Sequence, residues 1–322
     1  MAHHLKYFCR ILLFFHAIIL FCGVGELQAT TGSFTLFNSY RVDSLDWTIA
    51  SDFSGTTPNI LSELQWTDLQ IFQMGADAEI IRPMRDRIDI VLLGKAGYGW
   101  ILAGDNQDSD YAGDNRTLEW SRSNNDAGDG HVLDLSGGVG LRFKQLQDKW
   151  TLTPQLGYAY SEQDLVIQQG FQTLSVTIAP FSPPPAVGPI AGLNSSYYAW
   201  WFGPWLGLQA EYQQSHHLLW DLTLRWHSLE YQAEADWNLR TDLKHPVSFE
   251  HAADGDGISI NIGLDYLIHK KWDIGLGFEY RDMQADNGIA IIYLDSGGIG
   301  GTRFNEVNWA SWVFSCSLQY TF

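Results

Sequence analysis

Asp108 and Asp110 are the residues whose type and spacing most directly suggest chemistry. They stand two apart, so on an extended strand both carboxylates point the same way. Two carboxylates held close cannot both ionise freely. Such a pair retains or shares a proton and can position a water for attack. The ordinary alternative is that acidic residues in an Asn/Asp/Gly-rich stretch are simply solvated. Asp105, Asp108, Asp110 and Asp114 do not make a calcium loop, because the glycine and closing glutamate of that loop are missing. Gly297, Gly298, Gly300 and Gly301 form a flexible tip, with no following helix to make a phosphate cradle. Neither a cofactor nor a metal is expected.

The elements that must position the pair are strands. Trp272, Ile274, Leu276, Phe278 and Tyr280 alternate with Asp273, Gly275, Gly277, Glu279 and Arg281. A strand with that pattern has one apolar face and one charged or small face. The pattern recurs over Ile258–Ile268, Trp220–Trp226, Trp150–Tyr160, Ile88–Trp100 and Phe72–Ile80. After Thr30 no apolar run is long enough for a membrane-spanning helix. Alternation repeated this often predicts a transmembrane barrel, with the apolar faces toward lipid and the polar faces in the lumen.

The links between runs are unequal. Short ones lie at Arg82–Arg87, Gln145–Lys149, Gln213–His217 and His269–Lys271. Long ones lie at Phe53–Ser62, Asp105–Gly130, Leu165–Asn194, Trp237–Glu250 and Asn287–Asn305. Nine links predict ten antiparallel strands from about Arg41 to Phe322, with both ends of the mature chain in the periplasm. Several runs exceed the roughly 9–11 residues that cross a bilayer, so the barrel should rise above the membrane on the long-loop side. Ten strands enclose a narrow lumen that inward side chains can fill, which disfavours a wide pore.

The start of the chain reads as an export signal. Lys6 and Arg10 precede the apolar run Ile11–Val24, and Leu27-Gln28-Ala29 supplies a cleavage site. Residues 1–29 are therefore expected to be a signal peptide, and residues 30–322 an outer-membrane barrel with long extracellular loops. Without that segment the chain keeps 17 basic and 36 acidic residues, a balance that argues against nucleic acid as a partner. Cys9 and Cys22 lie in the signal, so Cys316 has no disulfide partner in the mature chain. The terminal Phe322 shares a face with Phe314, Cys316, Leu318 and Tyr320. An aromatic closing an amphipathic strand is similar to the signal read by barrel-assembly machinery. Outer-membrane lipid or lipopolysaccharide is the other expected partner, with host or surface peptides open.

With strand order and loop lengths in place, the sequence resembles the omptins, ten-stranded outer-membrane proteases. It resembles still more closely the omptin-related family described as Protochlamydia outer membrane protein. Ser62-Glu63-Leu64-Gln65-Trp66 is similar to the omptin motif entering the second strand. Gln107-Asp108-Ser109-Asp110-Tyr111 is similar to the Asp-x-Asp-aromatic motif after the third, and Gln319-Tyr320-Thr321-Phe322 to the last strand. The resemblance implies that the pair faces an Asp–His pair across a cleft, with the attacking water between. The matching Asp-x-His position falls on Asp236-Trp237-Asn238. Asp236 fits the acid, but the amide Asn238 cannot act as a general base. His245, His251 and His131 are the other candidates for that role.

Three functions stay open. The first is an omptin-like barrel with an impaired protease site and a surface structural, adhesive or narrow-pore role. The second is an active endopeptidase using Asp108, Asp110 and Asp236, with Asn238→His as the change expected to raise its rate. The third is a porin. A fluorogenic peptide separates the second from the others, and a planar bilayer separates the third.

Overall fold

The computed structural model describes residues 31–144, 149–181 and 183–322. The expected signal peptide, residues 1–29, lies outside the described residues. The strands are β1 (Thr31–Ile49), β2 (Ser62–Arg85), β3 (Ile88–Gly113), β4 (Thr117–Asp126, resuming as Gly130–Lys144) and β5 (Trp150–Ser175). They continue as β6 (Asn194–Gln213), β7 (Leu218–Asp236), β8 (Phe249–His269), β9 (Trp272–Tyr293) and β10 (Ile299–Thr321). The two pieces of β4 both pair with β3 and with β5, one above the other, so they form one stave broken at residues 127–129. Each strand pairs antiparallel with its sequence neighbours, and β1 closes the ring against β10 from Ser33↔Thr321 to Ile49↔Phe304. The result is the expected ten-stranded barrel. A closed ring leaves no unpaired backbone edge, which is what lipid requires.

The boundaries differ from the sequence reading in four places. Two of them are the expected long links Leu165–Asn194 and Asn287–Asn305: β5 runs on to Ser175, and β9 and β10 leave only residues 294–298 between them. The barrel begins at Thr31, not near Arg41, because the buried Phe37 interrupts the apolar/polar alternation of β1. The stretch Asp105–Gly130 is not a long loop. It is the upper part of β3, a tight turn at 114–116 and the upper piece of β4. Polar residues there conceal a hairpin that stands in water on its outer side.

Trp220, Leu222, Leu224 and Trp226 of β7 point outward and are exposed, as are Ile258 and Ile262 on β8 and Ile274 and Leu276 on β9. Such a band is stable only against lipid. Trp150 packs on Tyr212 and Trp272 on Tyr320 near the short turns. Tyr98 packs on Trp100 and Tyr280 on Trp312 at the other margin. These are the two interfacial girdles.

Above the second girdle the polarity of the β7 wall inverts. On β7 the inward residues become Leu229, Tyr231, Ala233 and Ala235, and the outward ones Glu230, Gln232, Glu234 and Asp236. Lipid no longer covers the outside, so the apolar residues move inside, as in a water-soluble barrel. Trp47, Trp66, Trp201, Trp309, Tyr197, Tyr231 and Phe304 fill the interior as one aromatic core. Beneath it lies a charged layer. Arg41 bonds Asp43 and reaches Asp134 at 2.8 Å, and Arg281 holds the other Asp134 oxygen at 2.9 Å. Glu279 accepts from Arg281 and from Lys95. The core draws residues from all ten strands.

Candidate functional site

Asp108 and Asp110 sit high on β3, eight and ten residues beyond Trp100 of the upper girdle. At a barrel tilt of about 40° that places them about 20 Å above the lipid margin. Asp108 is opposite Leu64 and Asp110 opposite Ser62 on β2. Residues directly opposite share a face, and Leu64 is a core residue, so both carboxylates point inward at the mouth. On the other side they meet Ser123 and Ser121 of β4. The structure brings the pair together as the spacing implied.

Burial, and then the charge of Asp110, hold the Asp108 carboxyl well above the ordinary range. Burial pushes Asp110 up to about 6, opposed by hydrogen bonds from Ser62 and Ser121 and by the charge of Arg240. The pair therefore keeps a proton into the weakly acidic range, as its geometry requires. It is poised to accept and release protons above the membrane.

Arg240 is the residue that sequence reasoning missed. It lies on the 237–248 loop between β7 and β8, bonds Asp242 at 2.7 and 2.8 Å, and acts electrostatically on both Asp108 and Asp110. A lone arginine in a polar loop carries no spacing signal, so only the closed ring reveals what it faces.

Asp236 does not join the pair. It lies opposite Ser196 on β6, between the inward positions Ala235 and Trp237, so its carboxylate is on the outer wall. There it meets His245 Nδ1 at 2.5 Å. This bond raises the His245 pKa. Asn238 serves the loop instead. Its Oδ1 accepts from the Asn194 amide at 2.9 Å and from Ser195 at 3.2 Å, and its Nδ2 donates to the Gly192 carbonyl at 2.7 Å. The amide thus ties the top of β7 to the approach to β6, a task for which one acceptor and one donor on a short side chain are suited.

The other histidines are also placed elsewhere. His131 points outward, 3.3 Å from Asp164 and stacked on Tyr98. His251 is inside the aromatic core, edge-on to Trp47 and bonded through Nδ1 to the Tyr197 hydroxyl at 2.9 Å. Tyr197 in turn bonds Tyr231. Burial drives the His251 pKa down to about 3. Among the described residues no group of three or more His, Cys, Asp or Glu side chains is arranged to hold a metal.

Comparison with known proteins adds the lineage of this geometry. The profile of a family described as Protochlamydia outer membrane protein matches residues 35–322. The chain superposes on the outer membrane protease OmpT of Escherichia coli with a TM-score of 0.71 at 12% identity, covering 94% of this chain and 99% of that one. At that identity the likeness is one of fold. OprG of Pseudomonas aeruginosa is more distant, at a TM-score of 0.33 and 10% identity over 92% of this chain and 98% of that one. The curated proteins offer no match.

Proposed function

Because the chain belongs to the Protochlamydia outer membrane protein family and has the barrel of an outer-membrane protease, we propose that it is a closed, non-proteolytic relative of that fold. It acts as an outer-membrane anchor that presents a structured extracellular mouth. One observation carries the reading: the aspartate pair lies inside the wall while the Asp236–His245 pair lies outside it. General-base catalysis needs the base within hydrogen-bond reach of the attacking water, and a base beyond the barrel wall is out of reach. The aromatic core fills the space between the walls, and Arg240 supplies a fixed cation where a peptidase needs a titrating base.

An active endopeptidase is the second reading, favoured by the intact Asp–His contact itself. It requires the 237–248 loop to turn over and bring His245 inside. That loop is held by Asn238, by the Leu243↔Leu294 bridge and by the Ser248 hydroxyl on the Trp237 amide. A porin is disfavoured, since a buried core built from all ten strands and a charged layer beneath it stand inside a narrow barrel.

The test is hydrolysis of a fluorogenic peptide panel by the refolded full chain, alongside Asn238→His. Both should stay at the buffer rate, and the variant should loosen the loop without gaining activity. Cleavage by the wild type that disappears in Asp108→Ala/Asp110→Ala would refute the proposal.

A further inference from the structure

A chamber of about 460 Å³ lies below the charged layer and opens at the short-turn, periplasmic end, rimmed by Thr31, Leu219 and Thr321. Its size is that of a small-ligand site. Most lumen cations are already neutralised: Lys95 by Glu279, and Arg142 by Glu79 and Glu211. Arg225 differs in that no carboxylate touches it; Glu279 and Asp77 act on it only through space. Arg225 forms no ion pair among the described residues, and its Nε has no hydrogen-bond partner.

Arg225 is held in place by a built platform. The Trp205 indole lies flat on the wall over Gly138 and Gly157, where an added β-carbon would strike the ring. Its Nε1 donates to Ser136 at 3.2 Å. The Arg225 guanidinium stacks on the Trp205 ring, 4.3 Å from its centre. Stacking fixes the plane of the cation, and with Nε buried the two terminal nitrogens are left to take a bidentate acceptor.

Besides the ion-paired Glu79, Glu211 and Glu279, and Asp77 deeper in, two carboxylates without an ion pair among the described residues face the same chamber nearer its mouth. Asp221 is four residues from Arg225 on the same face of β7, and Asp265 is on β8. Each lies over a glycine, Gly263 and Gly275 respectively, and neither forms an ion pair among the described residues. Acid at the mouth repels a simple anion, and the guanidinium above repels a polyamine. A molecule with an anion at one end and an ammonium at the other satisfies both. Four strand residues span about 13 Å, less the reach of the two side chains. An extended peptide covers about 3.3–3.6 Å per residue.

We propose that this chamber binds short peptides of three or four residues with free termini. The α-carboxylate sits on Arg225, and the α-ammonium on Asp221 and Asp265. This periplasmic site is separate from the extracellular mouth and independent of its chemistry.

Isothermal titration of the refolded full chain in detergent micelles tests it. Trialanine should bind saturably at one site with a submillimolar dissociation constant. N-acetyl-trialanine and trialanine amide should each bind about tenfold more weakly. Arg225→Gln should no longer distinguish the amide from the free acid. Asp221→Asn/Asp265→Asn should no longer distinguish the acetylated peptide from the free amine. If a variant does not fold, the capped peptides on the wild type decide the matter. No saturable binding of trialanine or tetra-alanine, or equal binding of the capped forms, overturns the proposal. So does an Arg225→Gln variant that discriminates the ends as the wild type does.

Discussion

Replacing His251 by leucine should remove an acid-sensitive component of stability. His251 is 3% exposed, and burial holds its pKa at about 3. An unfolded histidine takes up its proton near 6.5. Between those values the unfolded state binds more protons than the folded state, so stability falls as pH falls through the window. From pH 7 to 4.5 the loss attributable to this one side chain is about 2.5 kcal/mol. Other groups titrate in the same range. Asp110, raised to about 6, works in the opposite sense: its contribution is present in acid and lost as pH rises. The difference between wild type and His251→Leu cancels such common terms. Urea unfolding in micelles, followed by tryptophan fluorescence at pH 7, 6, 5 and 4.5, should show the gap moving in the variant's favour by that amount. A gap independent of pH would mean that the imidazole is solvated or charged in the folded barrel, and the aromatic core would lose its dry centre.

Three further outcomes follow from the same structure. Arg240→Ala should raise the Asp108 and Asp110 pKa values further, since Arg240 lowers both, and carboxyl carbon NMR reads the shift. Trp201→Ala should cost about 3–5 kcal/mol in urea unfolding, the usual range for a buried tryptophan, because Trp201 is buried against Tyr231 and Trp309. Deleting Phe322 should lower the amount of assembled barrel in the outer membrane without reducing export. It removes the closing residue whose backbone pairs with Gly32, and unchanged surface levels would count against that role.

The barrel was legible because alternation is a local property. Trp272–Arg281 reads correctly with no knowledge of its neighbours, and the short turns counted the strands. The upper hairpin was hidden because its inward face is polar as well. Asn106, Asp108 and Asp110 meet Asn125, Ser123 and Ser121, so no apolar alternation marks it, and elsewhere the apolar face changes sides where lipid ends. The change on β7 from Trp226 outward to Leu229 inward breaks the pattern at the point where lipid ends. At the mouth, the Asp108–Asp110 spacing fixed a shared face, and that face is inward. The placement of Asp236 was not readable, because one residue of register decides between the two sides of a wall. His245 and Arg240 sit in a loop whose path is set by bonds to Asn194, Gly192 and Leu294, all distant in sequence.

The separation of the two acidic groups by the barrel wall is the central claim, and the pKa of His245 tests it most directly. An NMR titration of the imidazole should give a value above the ordinary 6.5, because Asp236 bonds to it. Asp236→Asn should bring the value back toward 6.5, whereas Asp108→Asn/Asp110→Asn should leave it where it is in the wild type. A His245 titration that moves when the Asp108–Asp110 pair is neutralised would place all four groups in one site and contradict the account.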